Sequence, residues 1–509
     1  MERVSVLVIG GGTVGLSTAA LLGHHGVKPL VVERRAALSI HPRAMGTGIR
    51  TLEMFRELGV VEELRAKVTA NPIGGKITVD TLVSAEPLPV VARSIPKDVA
   101  TSVSPVTHVP SSQDRIDAVL HAATVRRGGE VRFGTAFESL THNENGVTVT
   151  VRGESGSYQV HADYVVAADG GRSAVRNALG IGTTGPGPLG DENLSVLFSA
   201  DLSDLVQFVL CQVETPDAPG MLISMGDSRY VFHTGVAVAQ GREPVDLVRT
   251  AIGVPDLPVD VLSEMSWQVN GTLADTFRSG RVFLAGDSAH TVPPMGATGM
   301  NSGIADAYNL AWKLAAVIQG RAGAALLDSY EEERRPMAEI NLAQALLRID
   351  HSKLHWDSTP EGARRRAEVG LRAAVVNNLG DRYASKVIIN PVPELPSTQD
   401  VVAILDGAPG SRVPHEWLNT GRTSTVDLAG PDFALLTGMR AQAWREAASS
   451  VNLRPHVVAS GWLEPDGAML VRPDGFIAWR GSAPSGDPVS ELRSVLDRVL
   501  CLATPGTPS

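Results

Sequence analysis

The sequence predicts a multidomain α/β protein whose first layer is a parallel sheet. Three observations predict it. A β-branched run, Val4–Ile9, passes without a gap into Gly10-Gly11-Gly12-Thr13-Val14-Gly15, an Ala- and Leu-rich helical run follows, and two later apolar strands also end in glycine turns. At about 100–200 residues per domain, 509 residues predict about three domains. Hydrophobic residues at 43% and charged residues at 20% are ordinary globular composition and exclude a disordered or fibrous chain. The net charge of −10 excludes attachment to nucleic acid through a broad basic field. Two cysteines, Cys211 and Cys501, exclude a disulfide framework and a Cys-rich cluster, and no metal site is expected. No apolar run approaches the ~18 residues of a membrane span. The N-terminal run meets glycine at once and has no small-residue cleavage site, so it reads as a buried strand, and a cytoplasmic protein is expected.

The first forty residues read as strand, G-x-G-x-x-G, helix, strand, acid: a Rossmann-type unit for a dinucleotide. Gly10 makes the tight turn, Gly12 lets the backbone approach a pyrophosphate, and Gly15 lets helix and strand pack closely. The helix from Leu16 to His24 offers free N–H groups to the phosphates, with Thr13 and Val14 in its opening turn. Strand Val27–Glu33 ends in an acid placed to accept hydrogen bonds from a ribose, with Arg34 beside it. The acid does not separate FAD from NAD.

Farther on, strand Tyr164–Ala168 ends in Asp169-Gly170, before a short helix from Ser173 to Leu179. Strand Arg281–Ala285 runs into Gly286-Asp287. The loop Pro293-Pro294-Met295-Gly296-Ala297-Thr298-Gly299-Met300-Asn301 then opens a second long helix, Ser302–Gly320, whose first N–H groups favour an anionic ligand atom. Singly, Asp169 can be a helix cap, Asp287 a turn residue and Arg43 a surface charge. His290 reads as a structural hydrogen-bonder, because no second titrating group is paired with it in the sequence.

Together these blocks resemble the class A flavoprotein monooxygenases, the aromatic hydroxylases built like p-hydroxybenzoate hydroxylase. The resemblance covers about residues 1–350. It implies a glutathione reductase-like domain with non-covalent FAD, and NAD(P)H and O2 as co-substrates. It implies that Gly10, Gly12, Thr13, Val14, Gly15, Glu33 and Arg34 hold the ADP part of FAD. Asp169 and Gly170 would serve FAD and NAD(P)H, and Gly286 with Asp287 the ribityl chain. Backbone at Pro293, Gly296, Gly299, Met300 and Asn301 would face the flavin. Arg43, in His41-Pro42-Arg43-Ala44, and Gln113, at a helix start, match two further family contacts with FAD. One departure is the loop, where Gly296-Ala297-Thr298-Gly299 stands in place of the G-G-Q-G of many relatives.

Alternating β-formers over 72–110 and 193–267 match the family's antiparallel substrate sheet. Candidate pocket liners are Met221, Met225, Tyr230, His233, Trp267 and Met295, with core packing the competing reading for each. The expected division is 1–71, 111–180 and 281–350 for the FAD domain, 72–110 and 181–280 for the substrate domain, 351–395 for a helical linker in which Pro336, just upstream, kinks or restarts the preceding helix, and 396–509 for the last domain. In that domain, strands at Ser424–Leu428, Phe433–Leu436 and Arg454–Val458, a helix around Ala441–Ser450, a hairpin at Ala468–Arg480 and a helix over Pro488–Val499 resemble the thioredoxin-like domain of the larger phenol and polyketide hydroxylases. It lacks a Cys-x-x-Cys pair, so it reads as structural or as a contact in a homodimer.

The expected function is an FAD-dependent, NAD(P)H-consuming monooxygenase hydroxylating an aromatic, polyketide-like substrate. The family's oxygen donor is a flavin C4a-hydroperoxide. No side-chain catalyst is assigned; Tyr230 and His233 are candidates for phenol activation, and the backbone at Pro293 for aiding the oxygen donor. Baeyer–Villiger oxygenation and epoxidation on the same scaffold stay open, as does a flavin-binding protein that no longer oxidises. A flavin halogenase is disfavoured, since no tryptophan is followed two places later by another.

Overall fold

The computed structural model describes residues 2–44, 46–68, 76–85, 101–357, 359–418 and 423–502. Much of the expected β-rich stretch 72–110, at 72–75 and 86–100, lies outside the described residues. The first sheet orders its parallel strands Val282–Leu284, Gly156–Ala167, Glu2–Ile9, Leu30–Val32 and Glu130–Arg132. Val6, Leu7 and Val8 are fully buried, as a strand covered on both faces requires. Helices Thr13–His24, Gln113–Arg126 and Gly299–Ile318 pack around it. The hairpin Ala136–Asn143 and Gly146–Gly153 adds antiparallel strands to Gly156–Ala167.

The register decides where the site lies. Ala167 is paired with Ile9 on one side and Leu284 on the other. The three glycine turns therefore leave the same sheet edge side by side, the crevice at strand ends where α/β sheets bind ligands.

The second sheet orders His290–Thr291, Asp260–Ala274, Thr183–Ser199, Arg229–Gly235, Gly220–Gly226, Leu210–Val213 and Lys76–Val79. It is antiparallel except where Lys76–Val79 joins Leu210–Val213 in parallel. Helix Pro244–Ile252 covers one face through Leu247, Val248, Ala251 and Ile252. Two strands depart from the expected division. Arg278–Ser279 pairs with Val282–Leu284 in the first sheet, and His290–Thr291 pairs with Asp260–Ala274 in the second. The chain thus crosses between sheets in the short stretch from Ala274 to Arg278 and again just after Gly286-Asp287.

Of the two outcomes expected at Pro336, a restart does not occur: helix Ser329–Asp350 runs through it. Its neighbours Glu333 and Arg334 are held by buried ion pairs, and this packing outweighs the one backbone hydrogen bond that proline removes. Short helices Ser352–Trp356, Pro360–Glu368 and Ala374–Leu379 follow.

The last sheet orders Arg454–Val457, Ala434–Thr437, Ala468–Val471 and Ile477–Gly481, with only the first pair parallel. With helices Gln442–Ser450 and Pro488–Val499 it is a thioredoxin-like βαβββα unit. The expected strand Ser424–Leu428 is mostly a 3-10 turn, Thr425–Asp427. Ser424 and Asp427 cap each other's backbone there, and that local bonding wins over β propensity.

Gly15 lies where helix Thr13–His24 crosses the first strand. A Cβ there would stand 1.8 Å from the Gly10 carbonyl oxygen and 3.3 Å from Val8 Cγ1. Gly15→Ala is expected to destabilise the apoprotein by about 1–3 kcal/mol, the cost of an overpacked contact, read from denaturant unfolding.

Candidate active site

The three turns touch one another. Gly10, at φ 108°, brings its backbone so near the next strand end that a Cβ would meet the Ala168 carbonyl oxygen at 2.3 Å. The Gly286 Cα faces Val14, the side chain of which would meet a Cβ at 2.7 Å. Gly12 instead faces open space, with nothing within 4 Å of a Cβ, and so does Gly170. The N–H groups that open helix Thr13–His24 point out of the helix end unpaired by it.

Glu33 is buried and accepts from the Gly11 N–H at 2.7 Å and the Arg35 N–H at 2.9 Å. A carboxylate has about four acceptor sites, so it retains room for a ribose. Arg34 is exposed beside it. The Gln113 amide donates to Thr13 Oγ1 at 3.0 Å and accepts from the Arg43 N–H at 3.2 Å. It thereby ties the segment around Arg43 to the first glycine turn. Thr13 donates in turn to Asp117 at 2.5 Å. Burial pushes the Asp117 carboxyl up to about 7, opposed by the Thr13 hydroxyl and assisted by Asp114, with Arg35 and Arg43 pulling it down.

Asp169 accepts from Ser173 Oγ at 2.5 Å and from the Val175 N–H at 3.1 Å, so its carboxylate caps helix Ala174–Ala178. Arg176 donates to the Gly171 and Ser288 carbonyls, both at 2.9 Å, and joins the second turn to the third. Asp287 is enclosed by protein, yet its side chain is exposed to the crevice. That enclosure raises its carboxyl above the ordinary range, against the pull of His290 and Arg43.

His290 does have a titrating partner, contrary to the sequence reading. Its Nε2 lies 2.8 Å from Asp306, a buried carboxylate that also accepts from the Gly286 N–H at 3.0 Å and Arg334 Nε at 2.8 Å. Burial works to raise Asp306, but His290 and Arg334 hold it below the usual carboxylate range. Asp306 is 16 residues past His290, and only the fold makes them neighbours.

In the loop after Asp287, Pro293 is buried and Met295, Gly296, Gly299 and Met300 are half-buried. Ala297 takes φ 55°, an uncommon setting for a residue with a Cβ. The Asn301 side chain accepts from the Gly48 N–H at 2.8 Å and Thr51 Oγ1 at 2.6 Å, and donates to the Ala297 carbonyl at 2.8 Å. Its amide is therefore spent on shaping the loop, and what it presents to a ligand is backbone.

The second sheet turns one face toward these loops. His41 contacts Ser195 Oγ at 2.8 Å and Ser263 Oγ at 3.1 Å on that face. His233 is paired in register with Ser195 and Met221, and its ring meets Trp267 edge-on at 5.4 Å. Burial lowers His233 to about 4, with His41 adding to the shift. His233 Nδ1 and Trp267 Nε1 have no hydrogen-bond partner among the described residues. Met225 packs with Leu197 and Val231 on the same side. Tyr230 does not belong there. Three residues from His233 on one strand, it faces the opposite way and stacks on Phe198 in the core under helix Pro244–Ile252. Asp117, Arg176, Asp306 and Arg334 were missed as site residues. Only Asp117 left a local signal, four places after Gln113 on one helix face.

Residues 3–345 match the family model for an FAD binding domain, and 406–503 that for the C-terminal region of aromatic-ring hydroxylases. The chain is a member of the FAD-dependent aromatic-ring hydroxylases. It is 38% identical to tetracenomycin A2 monooxygenase-dioxygenase of Streptomyces glaucescens, over 100% of this chain and 98% of that one. It is 35% identical to 4-methyl-5-nitrocatechol 5-monooxygenase of a Burkholderia species, over 98% of both. The structure of aklavinone-11 hydroxylase in ternary complex with FAD and aklavinone superposes with TM-score 0.84, at 34% identity, covering 98% and 99% of the two chains. This hydroxylase is thus an FAD-dependent monooxygenase.

The crevice fits the cofactor chemically. Open backbone at Gly12, unpaired helix amides and the exposed Arg43 suit a pyrophosphate, and the crevice-facing carboxylate of Asp287 suits a polyhydroxylated chain. Among the described residues no group of three His, Cys, Asp or Glu could hold a metal, and no helix is long and apolar enough to cross a membrane.

Asp117 makes stability depend on pH. Its carboxyl titrates higher folded than unfolded, so stability present at low pH is lost as pH rises through about 7. Asp117→Asn removes that loss. In urea unfolding of the apoprotein, the variant is expected to gain about 2–3 kcal/mol on wild type between pH 5 and pH 8.

Proposed function

We propose that this enzyme inserts one oxygen atom into a polycyclic, phenolic substrate of the polyketide kind, with NAD(P)H as reductant and O2 as oxidant. The observation that carries the substrate class is the sheet face opposite the glycine turns. It offers Met221, Met225, His233 and Trp267 side by side, an apolar, partly aromatic floor with two unpartnered ring nitrogens. Such a floor suits a flat fused-ring system carrying a few oxygens. Relatives are named for tetracenomycin A2 and for polyketide hydroxylation, and the solved complex holds aklavinone.

FAD, when bound and reduced, would supply the electrons that activate O2, one atom of which goes to the substrate and the other to water. The protein's share is binding, orientation and exclusion of water. The amides opening helix Thr13–His24, with Arg43, would hold the pyrophosphate, Glu33 the ribose and Asp287 the ribityl hydroxyls. Backbone of the loop Pro293–Asn301 would meet the ring. His233 is neutral at working pH, since it titrates near 4. It is therefore a hydrogen-bond partner that orients a substrate hydroxyl or carbonyl, and a poor base for removing a phenolic proton. Tyr230 takes no part, being in the core.

The purified protein is expected to be yellow, and its slow NAD(P)H oxidation to rise when tetracyclic polyketides are added, more than with simple phenols. Stimulation by monocyclic catechols alone would place it with the nitrocatechol enzyme. Asp287→Ala is expected to weaken FAD by about 1–3 kcal/mol, roughly 5- to 150-fold, in a fluorescence titration. Equal affinity would remove Asp287 from the cofactor site.

A further inference from the structure

The C-terminal domain carries no thiol pair, yet it reaches into the cofactor domain with charge. Its turn Arg472-Pro473-Asp474-Gly475, between strands Ala468–Val471 and Ile477–Gly481, is buried against helices Gly299–Ile318 and Ser329–Asp350. The Arg472 fork donates to both oxygens of Glu333, at 2.5 and 2.8 Å, and its Nε donates to Asp474 at 3.0 Å. Asp474 also accepts from Trp312 Nε1 at 3.2 Å, and its carbonyl from Arg50 at 2.5 Å. Arg472, Glu333 and Asp474 are all within 1% of full burial.

Glu333 is shared with the cofactor domain. It accepts from Lys313 at 2.7 Å and from Asn309 at 2.6 Å, both on helix Gly299–Ile318, and from Ser385 at 2.6 Å. The next residue, Arg334, donates to Asp306 on that same helix, and Asp306 holds the Gly286 N–H beside Asp287. A domain attached only for solubility has no need of buried ions. A buried charge that loses its partner is strongly disfavoured, so this pairing constrains both sides of the interface.

We propose that Arg472, with Asp474, is a positioning residue of the flavin site. By clamping Glu333 it sets helix Ser329–Asp350 against helix Gly299–Ile318, and so sets Arg334, Asp306 and the Gly286-Asp287 turn. The thioredoxin-like domain is then part of the cofactor-binding unit. The inference rests on the proposed contact of Asp287 with FAD.

The test uses the full-length chain and variants R472M, R472K, E333Q/R472M, D287A and R440M. Arg440 pairs with Asp466 on the exposed side of the same domain and serves as control. Readouts are the FAD dissociation constant, the visible spectrum of bound flavin, and the melting curve of the apoprotein, with binding measured well below melting. R472M is expected to weaken FAD at least tenfold and alter the spectrum, R472K to recover part of both, and R440M to match wild type. E333Q/R472M removes one charge of each sign, leaving Lys313 and Asp474 to balance one another, and keeps the test valid if R472M does not fold; it too should bind FAD at least tenfold more weakly. If the double variant binds FAD like wild type while D287A does not, the positioning role is wrong. If D287A itself binds like wild type, the placement of FAD fails and the inference falls with it.

Discussion

One buried carboxylate, Asp306, is the constraint on which the site's geometry depends. It is fully enclosed, and it is matched by a backbone N–H, a histidine ring and a guanidinium. The first comes from the turn after strand Val282–Leu284, the second from the start of the second sheet, and the third from helix Ser329–Asp350. A charge in that environment tolerates no loose partner. The Gly286 turn, the strand that follows it and helix Ser329–Asp350 are therefore held in one arrangement, and helix Gly299–Ile318, which bears Asp306, opens at the loop facing the crevice.

One short segment links the two large sheets, beside the ion pairs Arg115–Asp227 and Arg229–Asp114. His41 is hydrogen-bonded to the second sheet, and Arg43, two residues on, is tied by its N–H to Gln113 and through it to the first glycine turn. Arg43 thus stands between cofactor cradle and substrate face, close enough to Asp287 and Asp117 to affect the charge of both. The same segment explains the low basicity of His41 and His233, which are buried near each other and, at His41, near Arg43.

The glycine turns, the strands that feed them and the thioredoxin-like order of the last domain were legible because each is a local pattern: period-2 burial, glycine where backbone must pass backbone, a cap before a helix. Tyr230 was misplaced by a local pattern left unused. A separation of three on one strand puts it opposite His233. The strand expected at Ser424 failed to a local competitor, the mutual capping of Ser424 and Asp427. Asp169 shows the reverse: its capping role was written in Ser173 nearby, and the same residue borders the crevice.

By itself, the sequence determined which backbone segments can approach a dinucleotide, since close approach and helix-end amides depend on residues a few places apart. It also determined that the C-terminal domain has no Cys-x-x-Cys pair. Only the tertiary structure decided which charges answer one another. His290 with Asp306, Arg472 with Glu333 and Arg412 with Glu53 are separated by 16, 139 and 359 residues. None of the six points to its partner from its own place in the sequence. Burial makes each pair obligatory, and burial is a property of the packed chain: no window of sequence contains the partner or the low dielectric that makes the partner necessary.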